Sequence, residues 1–217
     1  MKGIFISNPP KPKYTATWNV GQVLDYLCTL WPVHDLSLQY LTFKLTALMA
    51  LSTAQRVQTL HYLKLSLLSN FGDYVVFTLD NLTKTSKPGQ KLQEVRIDKF
   101  ENEKLCVVNT LKHYIKQTQN LRKTDSLFIS YKTYDKVSSS TIARWLKNVL
   151  YLSGIDTSVF SANSYRGAAT SQAYISGMSL SDIIKTANWS NANTFFRFYN
   201  REVESKSFSR TVLSFKD

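Results

Sequence analysis

A chain of 217 residues with 43% apolar residues can bury one sizeable core, which excludes a disordered chain. Twenty-seven Lys and Arg against fifteen Asp and Glu leave a net charge of +12 and point first to nucleic acid, because each phosphate neutralised releases condensed counterions. No apolar run approaches the ~18 to 20 residues of a transmembrane helix, and neither a signal-peptide core, a basic amphipathic helix nor a lipidation signal is present, so membrane and secreted classes are not expected.

Pro9, Pro10 and Pro12 among lysines read as an extended basic linker. Thr17 or Asn19 caps a first helix running to about Trp31, where Pro32 ends it, and Asp35 or Ser37 caps a second with Leu38, Leu41, Leu45, Leu48 and Met49 at helical spacing. That second helix leads into Arg56, and a further helical stretch is expected around Leu60 to Leu68. Asn70 to Asp73 mark a turn, Tyr74 to Leu79 a strand, and Leu92 to Ile97 its partner. Between them runs a polar loop with Lys84, Lys87 and Lys91, in which Pro88-Gly89 signals a turn. Helices follow at about Leu105 to Leu121, Ser140 to Leu152, Asn163 to Ser176, Ser179 to Asn188 and Thr194 to Tyr199, with Gly154 and Gly177 as stops. Cys28 and Cys106 are too few for a disulfide framework or a zinc site and read as core thiols. The expected fold class is mainly α with a small antiparallel β-sheet.

This architecture identifies no function alone; residues at set places in it do. In order they are Arg56 at a helix start, a lysine in the hairpin loop, Arg166 one turn after Asn163, Trp189 between two helices, and Tyr199 at the end of the last helix. That order resembles the tyrosine recombinases, the catalytic fold shared by phage integrases and type IB topoisomerases, from about Leu36 to the C-terminus. The wording AQRVQTLHYL, NSYRGAAT and NWSNANTFFRFYNR resembles most the recombinases of DIRS-like retrotransposons and Crypton elements. The resemblance implies a catalytic domain over residues 19–217, with residues 1–18 as the linker from an N-terminal core-binding domain.

The chemistry the resemblance implies accounts for these residue types. A tyrosine attacking phosphorus conserves the energy of the broken bond in a covalent 3′-phosphotyrosine, and Tyr199 is the candidate nucleophile. Its ordinary pKa of ~10 leaves little phenolate at neutral pH, so the site must remove a proton and hold charge on the phosphate oxygens. Arg56 and Arg166 supply that charge as two planar forks, positioned donors typically contributing ~3 to 4 kcal/mol each in a dry site. Neither metal nor cofactor is called for. The general acid implied for the leaving 5′-oxygen is a loop lysine, Lys84 by the Thr-Lys-Thr wording, with Lys87 in reserve. Trp189 would donate its indole N–H to a phosphate oxygen.

Each residue also has a plainer reading. Arg56 and Arg166 could serve structural ion pairs, Lys84 could be a solvated loop lysine, and Trp189 and the phenylalanines before Tyr199 could be core. His61 reads as a helix-packing residue. Asn163 occupies the place where most of the family has His, and Asn can donate to phosphate but cannot take a proton at neutral pH; its plainer role is a helix N-cap. Thr59 stands where an acidic residue is common in the family. Cleavage weakened at the removal of the Tyr199 proton is therefore expected.

Lys11, Lys13, Lys44, Lys64, Arg144 and Lys147 could face a duplex, with Arg144 and Lys147 the preferred contacts beside Lys87 and Lys91 of the loop. The expected partner is double-stranded DNA, with self-association to a tetramer on it and no small-molecule substrate. The expected function is strand cleavage and rejoining for a mobile element, in the nucleus of a eukaryote or otherwise the cytoplasm. A decayed recombinase that binds DNA without cutting it and a basic RNA-binding module are the alternatives.

Overall fold

The computed structural model describes residues 14, 16–80, 92–189 and 191–198; Lys11, Lys13, Lys84, Lys87, Lys91 and Tyr199 lie outside them. Helix α1, Val20–Thr29, starts at Asn19, whose side chain accepts from the Gly21 N–H at 2.9 Å. It stops short of Trp31 because its last carbonyls find another partner. Lys44 Nζ donates to Leu27 O at 2.9 Å and Leu30 O at 2.6 Å. Lys44 is fully buried and therefore cannot face a duplex. Its apolar stem threads the core while the ammonium donates to carbonyls at the negative end of a helix.

Helix α2, Leu38–Thr53, is capped by Ser37 and is buried around most of its circumference, taking Thr42, Lys44 and Thr46 inside together with its apolar residues. It ends at Ala54, which takes the left-handed conformation at φ 49°. Arg56 is extended and opens a separate short helix α3, Val57–His61, so the apolar run divides just before it and Arg56 stands at a helix start, as expected. The expected stretch from Leu60 to Leu68 also divides, into a 3₁₀ turn at Leu65–Leu67 and strand β1, Leu68–Asn70. Tertiary partners displace the helical bonds there. Leu65 N–H donates to Asp125 O and Ser66 N–H to Asp125 Oδ1, both at 2.9 Å, while Leu127 N–H donates to Leu63 O at 2.8 Å.

Strand β1 pairs antiparallel with β2, Tyr74–Thr78, which pairs antiparallel with β3, Glu94–Asp98. Val75 faces Ile97 and Phe77 faces Val95 in register, and these four bury while Glu94 and Arg96 stay exposed, the period-two pattern of a sheet with one wet face. Gly72 makes the β1–β2 turn at φ 87°, a left-handed value that costs a glycine nothing.

Four of the remaining helices are α4, Val107–Thr118; α5, Ser139–Leu152; α6, Ser164–Ile175; and α7, Leu180–Thr186. Helix α8, Ala192–Phe198, closes the series. Helices α4, α5 and α6 surround α2, so α2 forms the axis of the main core. A second, smaller core gathers Ala54, Ile183, Ala187, Trp189 and Phe195 beneath α7 and α8. Cys106 is buried as expected, but Cys28 is only half-buried. No helix among the described residues is long and apolar enough to cross a membrane. The chain is mainly helical with one small antiparallel sheet.

Candidate functional site

The ends of α2 and α7 converge, and each leaves carbonyls without intrahelical partners. Two side chains take four of them. Arg166 donates from Nη1 to Ala54 O at 3.1 Å and from Nη2 to Ala187 O at 2.6 Å, and Gln55 donates from Nε2 to Thr53 O at 3.2 Å and Thr186 O at 2.8 Å. Helix C-termini carry partial negative charge, which compensates the guanidinium that Arg166 buries at 4% exposure. The Arg166 guanidinium carbon also lies 4.7 Å from the ring centroid of Trp189, a cation–π contact in a desolvated place. The fork is therefore oriented before any ligand arrives.

Arg56 follows Ala54 by two residues, on the segment that Arg166 pins. It is half-buried, and among the described residues its side chain has neither an ion pair nor a hydrogen bond, so the structural ion pair considered from sequence is not there. Asn163 immediately precedes α6, three residues before Arg166, and its side chain is exposed and makes no capping bond. The cap reading is corrected: Asn163 has φ −69° and ψ −19°, already helical, whereas a side chain caps from an extended residue. Ser164 makes the side-chain bonds at this helix start, accepting from the distant Trp18 Nε1 at 2.8 Å and donating to Ser161 O at 2.7 Å.

Trp189 belongs to the second core at 8% exposure. Phe195 packs 5.9 Å from it and 5.2 Å from Tyr174, which pins α8. Phe196 departs from the core reading at 46% exposure, although its ring meets Tyr174 at 6.2 Å. Thr59 is buried on α3. Burial and then the nearby Lys136 ammonium push the His61 imidazole below its ordinary range, against a hydrogen bond with the Val137 backbone.

The lysine loop lies outside the described residues, but both its limbs are inside them. Leu79 N–H donates to Gln93 O at 2.9 Å, and Gln93 Nε2 donates to Gln55 Oε1 at 3.0 Å. Sequence reasoning missed Gln55. A glutamine flanked by Ala54 and Arg56 after an apolar helix needs partners if buried, which is a usable signal. Two of its three partners stand 38 and 131 residues away, and nothing local identifies those. Arg144 and Lys147 are exposed on α5, opposite the buried Trp145, Leu146 and Val149. Lys64 instead pairs with Asp80 at 2.6 Å.

Arg56, Arg166, Trp189 and the limbs of the loop are thus joined through one pair of helix ends, an arrangement of cations and N–H donors suited to an anion. A family model described as the phage integrase family matches residues 18–206. Among solved structures, the chain is similar to XerH site-specific recombinase in a pre-cleavage complex with difH substrate, at 15% identity and TM-score 0.66, covering 95% of this chain and 54% of that one. It is similar to XerA recombinase at 17% identity and TM-score 0.62, covering 96% and 66%. It is also similar to the Tn1549 transposon integrase in complex with transposon right end DNA, at 13% identity and TM-score 0.63, covering 100% and 69%. Likeness at these identities establishes the fold, and the chain spans less than two thirds of the length of the XerH and XerA chains. No curated protein sequence matches it.

Proposed function

Because this chain belongs to the phage integrase family, we propose that it cleaves and rejoins double-stranded DNA through a covalent 3′-phosphotyrosine on Tyr199. The observation that carries this reading is the pinning of Arg166 between Ala54 and Ala187, which draws the Arg56 segment and the Trp189 segment to one place. In the forward step the Tyr199 oxygen bonds to phosphorus as the P–O5′ bond breaks. The phenolic proton passes to water, and the 5′-oxygen takes a proton from the loop lysine, Lys84 or in reserve Lys87. Arg56 and Arg166 hold the non-bridging oxygens, with Asn163 and Trp189 as neutral donors. Rejoining runs the same path backwards.

The wording around Arg56, Arg166 and Tyr199 favours a mobile element of the DIRS-like or Crypton kind, with a nuclear site of action in a eukaryote. Residues 1–18 then link to an N-terminal core-binding domain, and assembly on DNA proceeds to a tetramer. The solved relatives include a lambda integrase dimer on a core site and a tetramer on a Holliday junction. Arg144, Lys147, Lys87 and Lys91 contact the duplex.

The test is a nicked DNA substrate, or one trapped with a phosphorothiolate, resolved under denaturing conditions. A covalent adduct that disappears in Tyr199→Phe is expected. Retarded DNA with no adduct from the unsubstituted chain would replace this reading with a recombinase domain that binds without cutting, which Asn163 favours because an amide cannot accept the phenolic proton.

A further inference from the structure

Gln55 is 6% exposed and makes three side-chain hydrogen bonds, each to a different part of the proposed site. Thr53 O belongs to the turn that presents Arg56. Thr186 O ends α7, three residues before Trp189. Gln93 lies on the limb that returns from the lysine loop, where its carbonyl closes the last rung with Leu79. Two carbonyls facing Nε2 fix which way the Gln55 amide points, since the flipped amide would set its oxygen against both. The acceptor Oε1 is then committed to Gln93. Among the described residues this is the one bond that holds the Gln93 side chain, whose Oε1 is buried without a partner.

We infer that Gln55 is a positioning residue for cleavage, a single amide that ties the limb of the lysine loop to the Arg56 turn and to the Trp189 segment. The inference rests on the function proposed above. The nearest substitutes do not keep these bonds: Glu loses both donors and buries a charge, Asn is one methylene short, and Leu of similar volume loses all three.

The experiment compares Gln55→Leu and Gln93→Leu with the unsubstituted chain on two DNA substrates, one with the ordinary 5′-oxygen at the scissile phosphate and one with a bridging 5′-sulfur. A thiolate leaves without a general acid, so the sulfur substrate relieves a defect confined to the lysine. Both variants are expected to form adduct at least about tenfold more slowly on the oxygen substrate, with DNA retardation unchanged within about twofold. The sulfur substrate should restore most of the Gln93→Leu rate and only part of the Gln55→Leu rate, which also loses the Thr53 and Thr186 bonds. Hydrogen exchange at the Leu79 amide should quicken in both variants, and at the Trp189 amide in Gln55→Leu alone.

Unchanged adduct rates, or a Gln93→Leu loss as large on sulfur as on oxygen, would overturn the inference. If the unsubstituted chain forms no adduct on either substrate, the proposed function fails and the positioning role fails with it. The exchange rates report the tie separately: unaltered exchange at Leu79 and Trp189 overturns the inference even where the adduct forms. Gln93→Leu, which cuts one bond at the edge of the sheet, keeps the test decisive if Gln55→Leu does not fold.

Discussion

Arg166 and Ala54 stand 112 residues apart in sequence, and Nη1 of the arginine donates to the carbonyl of the alanine at 3.1 Å. Ala54 can offer that carbonyl because α2 stops there in a left-handed residue. The same guanidinium holds Ala187 at the end of α7. A side chain read from sequence as a phosphate ligand is therefore also the clasp between two helix ends.

Arg166→Lys should separate charge from geometry. An ammonium keeps the charge but has no planar fork to span both carbonyls. Stability in urea should fall by about 1 to 3 kcal/mol, and adduct formation by roughly 10²- to 10³-fold. A variant with full activity would show that the clasp is dispensable.

Asn163→His should raise adduct formation on a suicide substrate, with the gain largest where the imidazole is neutral, above about pH 6.5. The side chain is exposed and caps nothing, so the substitution should leave urea unfolding within about 0.5 kcal/mol. An unchanged adduct yield would count against a proton-accepting role at this position.

Lys44 gives a pH signature. Its burial lowers the pKa from 10.5 to about 8. Between these values the unfolded chain holds a proton that the folded chain has released, so unfolding free energy rises with pH across the window. Relative to Lys44→Met, the unsubstituted chain should gain roughly 1 to 3 kcal/mol from pH 8 to 10.5. A difference that stays flat or falls over that range would show that burial does not lower the Lys44 pKa.

DNA affinity should fall steeply with salt, the slope of log affinity against log salt being about −0.9 per phosphate neutralised. Arg144→Ala and Lys147→Ala should each flatten that slope by about one, whereas Lys64→Ala, which removes a partner of Asp80, should flatten it less. Equal slopes for all three would place the duplex away from α5.

The sequence carried its own helix starts and stops wherever the signal was local. Asn19 and Ser37 cap the helices they precede, and Gly154 and Gly177 end theirs at positive φ. The β-branched and aromatic content of Tyr74 to Leu79 was enough to place a strand over Tyr74–Thr78. The order of Arg56, Arg166 and Trp189 was equally legible, because residue type and spacing are written in the chain.

Tertiary structure alone decided what those residues touch. The apolar run through Ala54 contains no breaker, yet it breaks there because the carbonyls of Thr53 and Ala54 are claimed by Gln55 and by Arg166 from another helix. Lys44 looked like surface charge until the end of α1 supplied its acceptors. Asn163 looked like a cap until its backbone proved helical. In each case the deciding partner lies far along the chain or depends on a backbone angle, and a hydrogen bond between distant segments leaves no period in the sequence from which it could be read.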